Sequence, residues 1–190
     1  TMSHCDWSSD VCSSDQTDDA WLRDTGPVFV LRGGNRTLID FQFDSWGGKY
    51  PPWERDAAVG RAVEREIGLP RAEADFVLEG GSVDGNGAGT LLTTESCLLN
   101  PNRGAGRTRE AMEDLLAHWL GARRVLWLDA GIAGDDTDGH VDDVARFVAP
   151  GTGVAATCCP GAETDRKSVG EGKRVDRGCP RICKKKKYSS

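Results

Sequence analysis

The clearest chemical cluster in the chain is the acidic segment DDTDGHVDD at residues 135–143, which sets a histidine among carboxylates. An imidazole can move a proton near neutral pH, and a carboxylate can hold a cation. His140 and Asp142 are two residues apart, and on an extended segment residues at that spacing point to the same side. The spacing therefore predicts that both side chains face one cavity.

Two more carboxylates stand out by their surroundings. Asp24 follows Arg23 in RDTGP, and Glu79 precedes two glycines in LEGGS. Taken singly, these two carboxylates and His140 each have an ordinary interpretation. Asp24 could belong to a solvated ion pair, Glu79 could end a strand, and His140 could lie at the surface. Their chemical role has to be argued from the motifs around them.

A competing motif spans residues 84–95 and has the spacing of a calcium-binding loop. Its positions 1, 3, 5, 6, 7, 8 and 12 are Asp84, Asn86, Ala88, Gly89, Thr90, Leu91 and Glu95. Ala88 offers no side-chain oxygen at position 5. The flanks FVLEGGS and TLLTTES have strand character, whereas a calcium loop of this type lies between two helices. The motif nevertheless leaves open a non-enzymatic acidic module that binds a divalent cation or a basic partner.

Charge and cysteine content divide the chain into three segments. Residues 1–15 carry three acidic and no basic residues, residues 16–157 carry 23 acidic and 14 basic, and residues 158–190 carry 4 acidic and 10 basic. Cys97 is the only cysteine of the middle segment, so no disulfide framework is predicted. The stretches DWSSDVCSSD and DRKSVGEGKRV resemble translated sequencing-adapter DNA. Residues 1–15 and 158–190 are therefore predicted to be disordered, adapter-derived ends, and a natural basic tail that binds nucleic acid is the weaker alternative.

The composition excludes several classes of protein. The chain has 190 residues, 38% of them hydrophobic and 28% charged, with 24 glycines. These values are typical of a turn-rich globular chain, and they exclude collagen, a coiled coil and general disorder. No run reaches the roughly 18 apolar residues of a membrane span, and the N-terminus lacks the layout of a signal peptide. We therefore expect a cytoplasmic protein.

The middle segment is predicted to alternate short strands with two helices. Strands are expected at 28–32, 38–43, 76–79, 90–94, 124–128 and 144–148. Apolar residues recur at helical spacing in 54–67 and about 108–120, and glycine follows each run. The order predicts an α/β fold of repeated strand-strand-helix-strand units, in contrast to a plain doubly wound sheet.

Four stretches together closely resemble the agmatine deiminase family, which includes the bacterial type of peptidyl-arginine deiminase. They are DAWLRDTGPVFV, DSWGGKY, FVLEGGS with TLLTTESCLLNPNR, and DDTDGHVDD with RFVAPG, and they occur in family order. The resemblance covers about residues 17–157. It implies the five-bladed α/β propeller of the guanidine-modifying enzymes (the pentein fold), with residues 16–157 as the middle blades of a partial catalytic domain.

The resemblance also implies a role for each site residue. Asp24 and Asp142 would bind the substrate guanidinium, since carboxylates on opposite sides of this planar cation can each accept two hydrogen bonds. His140 would be the general acid and base, and Glu79 would orient His140 and the substrate. Trp21 is predicted to contact the substrate. Trp46 and Trp53 could also line a channel, although aromatic residues more often belong to a core. The other acids of 135–143 are predicted to cap their loop.

The nucleophile of the family has no counterpart in this chain. The family cysteine lies near the C-terminus in a Gly-rich segment ending in His-Cys, and no such segment occurs here. Cys97 stands beside Leu98 and Leu99, a setting typical of a buried and inert thiol. We therefore expect a fragment of a hydrolase that lacks its nucleophile.

The expected reaction converts a guanidine to a ureido product and ammonia, in putrescine biosynthesis or arginine catabolism. The partner would be a small guanidine such as agmatine, with no nucleic acid, no membrane, no metal and no cofactor. The resemblance does not separate agmatine from peptidyl arginine, nor a monomer from an oligomer.

Overall fold

The computed structural model describes residues 17–132, 134–156 and 184–187, which form a mixed α/β structure. Most of the two predicted adapter-derived ends lies outside these residues. Four residues of the basic end are described, and they form a strand, which differs from the predicted disorder. The chain divides into two compact units, residues 1–80 and 81–190. Among the described residues, no helix has both the length and the apolar character needed to cross a bilayer.

The first unit is built on a three-stranded sheet. Strands β1 (Val28–Arg32) and β2 (Asn35–Gln42) pair as an antiparallel hairpin, and β3 (Arg71–Val77) pairs parallel to β2. The hairpin turns at Gly33 and Gly34, whose positive φ values of 54° and 84° suit a two-residue turn. The unit's helices are α1 (Leu22–Thr25), α2 (Ser45–Gly48) and α3 (Val59–Ile67).

The central strand β2 carries the core of the first unit. Leu38 and Ile39 are consecutive and both fully buried, so both faces of the strand are covered. Phe41 packs edge-to-face on Phe76 of β3, with ring centroids 5.2 Å apart. The hydrophobic run of β2 therefore fixes the position of β3, whose end leads to Glu79.

The second unit contains two three-stranded sheets. In the first, β4 (Asp84–Gly85) and β5 (Thr90–Thr94) are antiparallel, and β6 (Arg124–Leu128) lies parallel to β5. The second is antiparallel and consists of β7 (Ala145–Ala149), β8 (Thr152–Ala155) and β9 (Lys184–Lys187). Helices α4 (Glu95–Leu98) and α5 (Arg109–Leu120) follow β5 in the chain. Leu92, Val141 and Ala145 form a buried core cluster that brings the start of β7 against β5.

Most predicted elements are confirmed, and three start several residues away from the predicted position. The strand expected at 38–43 is β2, which begins at Asn35. The helix expected at 54–67 begins as a 3-10 turn at Asp56–Ala58 and becomes α-helical only at Val59. Asp56 there accepts hydrogen bonds from the backbone N–H groups of Asp18 and Asp19, at 2.8 and 3.2 Å. The strand expected at 76–79 is β3, which begins at Arg71 and ends before Glu79.

Candidate functional site

Asp24 is held as a buried carboxylate in the first unit. It lies in the single turn α1, and only 8% of its surface is exposed. Its backbone N–H donates to the carbonyl of Trp21 at 2.9 Å. Its Oδ2 accepts a hydrogen bond from the indole Nε1 of Trp46 at 3.2 Å. A buried anion is costly unless it is hydrogen-bonded or meets a cation, so this carboxylate is suited to receive a positively charged ligand.

Trp46 owes its position to an unusual backbone turn in DSWGGKY. Ser45 and Trp46 have φ values of 59° and 56°, in the left-handed region that residues other than glycine rarely adopt. Asp44 accepts the N–H of Gly47 at 2.8 Å, and the Ser45 hydroxyl donates to the Tyr50 carbonyl at 3.1 Å. The turn thus directs the indole N–H to Asp24.

The three tryptophans considered from the sequence have different surroundings. Trp46 is buried and contacts the Asp24 carboxylate, Trp53 is partly buried, and Trp21 is 59% exposed. The backbone carbonyl of Trp21 accepts from the N–H groups of Asp24 and Thr25. Sequence reasoning identified Trp46 only as a channel candidate, because its backbone conformation cannot be read from residue types.

Glu79 follows β3 and is fully buried. The glycine after it is required by close packing, because a Cβ on Gly80 would collide with the carbonyl oxygen of Arg23. The chain just after β3 therefore lies directly against α1, the helix that carries Asp24. The sequence motif LEGGS thus combines a buried carboxylate with a close backbone approach.

His140 of the second unit is also buried, with 2% of its surface exposed. Its backbone N–H donates to the Thr137 hydroxyl at 3.1 Å and to Asp135 Oδ2 at 3.3 Å. The premise that His140 and Asp142 lie on an extended segment is wrong. A 3-10 turn, Val141–Asp143, begins directly after His140, so spacing of two does not place the two side chains on one side.

Asp142 is more accessible than the other candidate carboxylates. Its side chain is 18% exposed, and its Oδ2 lies 3.5 Å from Nη2 of Arg146, which is 44% exposed. An ion pair at this exposure contributes little to stability. Burial raises the pKa of the adjacent Asp143, and repulsion from Asp135 and Asp142 raises it further. Negative charge is therefore concentrated at this turn.

Cys97 is buried, as its sequence context predicts, but its neighbour was not foreseen. The side chain is fully inaccessible, and its backbone N–H donates to the Thr94 hydroxyl at 3.2 Å. Its Sγ and a ring nitrogen of His140 lie within 4.8 Å of each other. A thiol closed off from solvent is poorly placed to attack a substrate.

The calcium-like loop forms a hairpin. Strands β4 and β5 lie within the motif, and the helix α4 that begins at its last residue, Glu95, is a single turn, so the described residues lack the pair of helices that such a loop requires. Asp84 accepts the Phe147 N–H at 2.6 Å, and Asn86 accepts the N–H groups of Ala88 and Thr90 at 2.8 and 3.0 Å. Glu95 pairs with Arg109. The oxygens of the motif thus bind protein groups, which removes the main support for the cation-binding alternative.

We predict that millimolar calcium leaves the thermal stability of the chain unchanged. A ligand stabilises a fold only if it binds the folded state, and the oxygens of 84–95 are engaged within the protein. The measurement is the melting temperature by circular dichroism with calcium or with EDTA. A calcium-dependent rise that Asp84→Asn abolishes would contradict the prediction.

Comparison with known families gives a match over most of the chain. The profile of the Porphyromonas-type peptidyl-arginine deiminases matches residues 10–174, which extends beyond the predicted boundaries of 16 and 157 at both ends. An agmatine deiminase from Ectopseudomonas mendocina is 48% identical over 141 residues, covering 71% of this chain and 38% of that protein. The chain spans less than half the length of the curated relatives it matches.

Solved structures show the same similarity. The agmatine deiminase of Enterococcus faecalis, described as catalysing its reaction, superposes with a TM-score of 0.68 at 44% sequence identity. The superposition covers 71% of this chain and 39% of that one. Since both sequence and backbone agree, the likeness extends beyond the general α/β class.

Proposed function

Because the chain belongs to the Porphyromonas-type peptidyl-arginine deiminase family, we propose that it is part of an enzyme that hydrolyses agmatine to N-carbamoylputrescine and ammonia. The observation that carries the proposal is the buried Asp24 carboxylate, oriented by the Trp46 indole. A fixed anion with little access to water favours the binding of a cation that can donate hydrogen bonds to it. The guanidinium of agmatine is such a cation, and the related E. mendocina protein is named for this substrate.

The proposed residue roles are those that the family resemblance implies. Asp24 and Asp142 accept hydrogen bonds from the guanidinium and neutralise its charge. His140 transfers protons, Glu79 keeps the orienting role, and Trp21 contributes to substrate binding. Trp46 joins this set as a positioning residue, because its indole N–H holds the Asp24 carboxylate.

The proposed chemistry proceeds through a covalent intermediate. A cysteine thiolate attacks the central guanidinium carbon, the resulting tetrahedral adduct expels ammonia after protonation by His140, and an amidino-thioether remains. His140 then removes a proton from water, which attacks the same carbon. The C–S bond breaks, and the ureido product and the thiolate are released. Inaccessible Cys97 is unsuited to be this nucleophile, and we assign the role to a cysteine of the complete enzyme that is not part of this chain.

The remaining parts of the proposal concern the whole enzyme. Residues 16–157 would form middle blades of a five-bladed α/β propeller, and the enzyme would act in the cytoplasm in putrescine biosynthesis or arginine catabolism.

Expression of the complete reading frame, followed by assay of carbamoylputrescine and citrulline by mass spectrometry, tests the activity. Ammonia release from agmatine supports the proposal, and no turnover of any guanidine contradicts it. Turnover of peptidyl arginine alone would assign the other substrate of the family.

We predict that the 190-residue chain itself produces neither carbamoylputrescine from agmatine nor citrulline from arginine substrates. Without a nucleophile, attack on the guanidinium carbon would depend on water, for which guanidinium is a poor electrophile. The assay must detect less than one molecule of product per molecule of protein after several hours, and Cys97→Ala is the matched control. Turnover that Cys97→Ala abolishes would identify Cys97 as a nucleophile and overturn the prediction.

A further inference from the structure

The loop that precedes His140 is organised around one carboxylate, Asp135. Asp135 Oδ1 accepts the N–H of Thr137 at 3.1 Å. Its Oδ2 accepts the hydroxyl of Thr137 and the N–H groups of Gly139 and His140, the latter two at 3.0 and 3.3 Å. One carboxylate thus accepts four hydrogen bonds from three residues, 137, 139 and 140.

The same loop is fixed to the rest of the second unit at Gly139. The carbonyl of Gly139 accepts the hydroxyl of Thr94, at the end of β5, at 2.6 Å. Gly139 has a φ of 104°, and an added Cβ would collide with the Ser96 hydroxyl. The backbone immediately before His140 therefore has a definite position relative to β5.

A buried arginine holds the middle of the loop. The Arg103 side chain is 1% exposed, and its guanidinium donates to the Asp138 carboxylate and, at 2.9 Å, to the Thr137 carbonyl. Asn102 donates to the same carboxylate at 2.8 Å. Asp138 has a φ of 65°, a conformation that these contacts help to maintain.

Asp135 acts in this network as a charged acceptor. Burial alone would raise its pKa, but the Thr137 hydroxyl and the N–H groups of Thr137, Gly139 and His140 together hold the pKa below its usual value. The group therefore stays ionised at neutral pH, and hydrogen bonds to a charged acceptor are stronger than neutral ones.

We propose that Asp135 is a positioning residue for His140, which it holds by accepting the backbone N–H groups of residues 137, 139 and 140. The importance of this placement for catalysis rests on the proposed function, but the placement itself can be tested without substrate. The sequence pattern predicts a loop cap, and the structure adds the contact of that cap with the candidate catalytic residue.

The test uses the 190-residue chain and diethyl pyrocarbonate, which modifies neutral imidazole. The pH dependence of the modification rate reports the pKa of His140, and the high-pH plateau reports its accessibility. Mass spectrometry after proteolysis resolves the three histidines, and exposed His118 on α5 provides an internal reference. The variants are Asp135→Ala, Asp135→Asn and, as a matched control, Asp136→Ala at the neighbouring exposed acid.

In Asp135→Ala, we expect the plateau rate of His140 to rise at least about fivefold, because the loop opens locally. His118 should be unaffected. Asp135→Asn should raise the rate by a smaller factor, about two- to fivefold, because its amide oxygen replaces only one of the two accepting oxygens and its NH2 group cannot accept an N–H. Asp136→Ala should match the wild type.

Two additions separate positioning from general destabilisation. Met112→Ala removes a buried side chain of α5 and should lower the melting temperature while leaving the His140 rate unchanged. If Asp135→Ala does not fold, Asp135→Asn replaces it, since its single amide oxygen cannot accept at both positions that the two carboxylate oxygens fill. Rates within twofold of the wild type in Asp135→Ala, or in Asp135→Asn as its replacement, would overturn the proposal. So would a rise in Met112→Ala as large as that in Asp135→Ala.

Discussion

Asp24→Asn should lower kcat/KM for agmatine in the complete enzyme by about a hundredfold or more. Removal of one partner from a buried charge pair typically costs about 3–5 kcal/mol, and about 1.4 kcal/mol corresponds to a factor of ten. The asparagine amide can still direct its oxygen to the Trp46 indole, which donates at 3.2 Å in this structure. The loss should therefore come from the missing charge, and the local fold should persist.

The measurement is steady-state kinetics together with the melting temperature. Asp142→Asn should lower activity by a similar factor while leaving stability nearly unchanged, because its ion pair with Arg146 is partly exposed. Asp19→Asn, at an exposed acid near Asp24 in the chain, serves as the control and should retain full activity. Near-normal turnover in Asp24→Asn or Asp142→Asn would show that the substrate-binding role had been assigned to the wrong carboxylate.

Elements with complete local signals could be predicted from the sequence. Helix α5 has Thr108 at its N-cap, where the side chain accepts the Ala111 N–H, and Gly121 in the left-handed conformation at its end. Strands β5 and β6 have the predicted bounds, because apolar and β-branched residues fill both.

Elements that depend on distant partners could not be predicted in the same way. The start of β3 contains Arg71 and Glu73, which do not have the pattern of a buried strand. Arg71 is accommodated because it pairs with Asp40 on β2 at 2.7 Å and with Glu64 on α3 at 2.8 Å. These partners are 31 and 7 residues away in the chain, and no local pattern indicates them.

In the candidate site, too, the candidate residues could be predicted from the sequence, whereas the backbone conformation could not. Residue types and motifs identified Asp24, Glu79 and His140, and all three are buried, as is unusual for charged or polar groups. The backbone around them could not be foreseen. The left-handed conformation of Trp46 and the 3-10 turn after His140 both arise from specific hydrogen bonds, and both change which way a side chain points.

His140→Ala in the complete enzyme should lower kcat for agmatine by about two to four orders of magnitude, the usual contribution of a general acid or base. Unlike the carboxylate variants, it should bind agmatine with nearly unchanged affinity, because the proposed guanidinium contacts come from Asp24 and Asp142. The loss should therefore fall on kcat, whereas Asp24→Asn should also weaken binding.

The covalent intermediate provides a second readout for His140→Ala. Ammonia departure becomes slow without its proton donor, and hydrolysis of the amidino-thioether becomes slow without a base to activate water. Mass spectrometry of the quenched protein should therefore detect an adduct of agmatine minus ammonia that forms slowly and persists. His118→Ala, at the exposed histidine of α5, is the matched control and should turn over normally without a persistent adduct. A kcat close to that of the wild type in His140→Ala would exclude His140 as the proton-transfer residue.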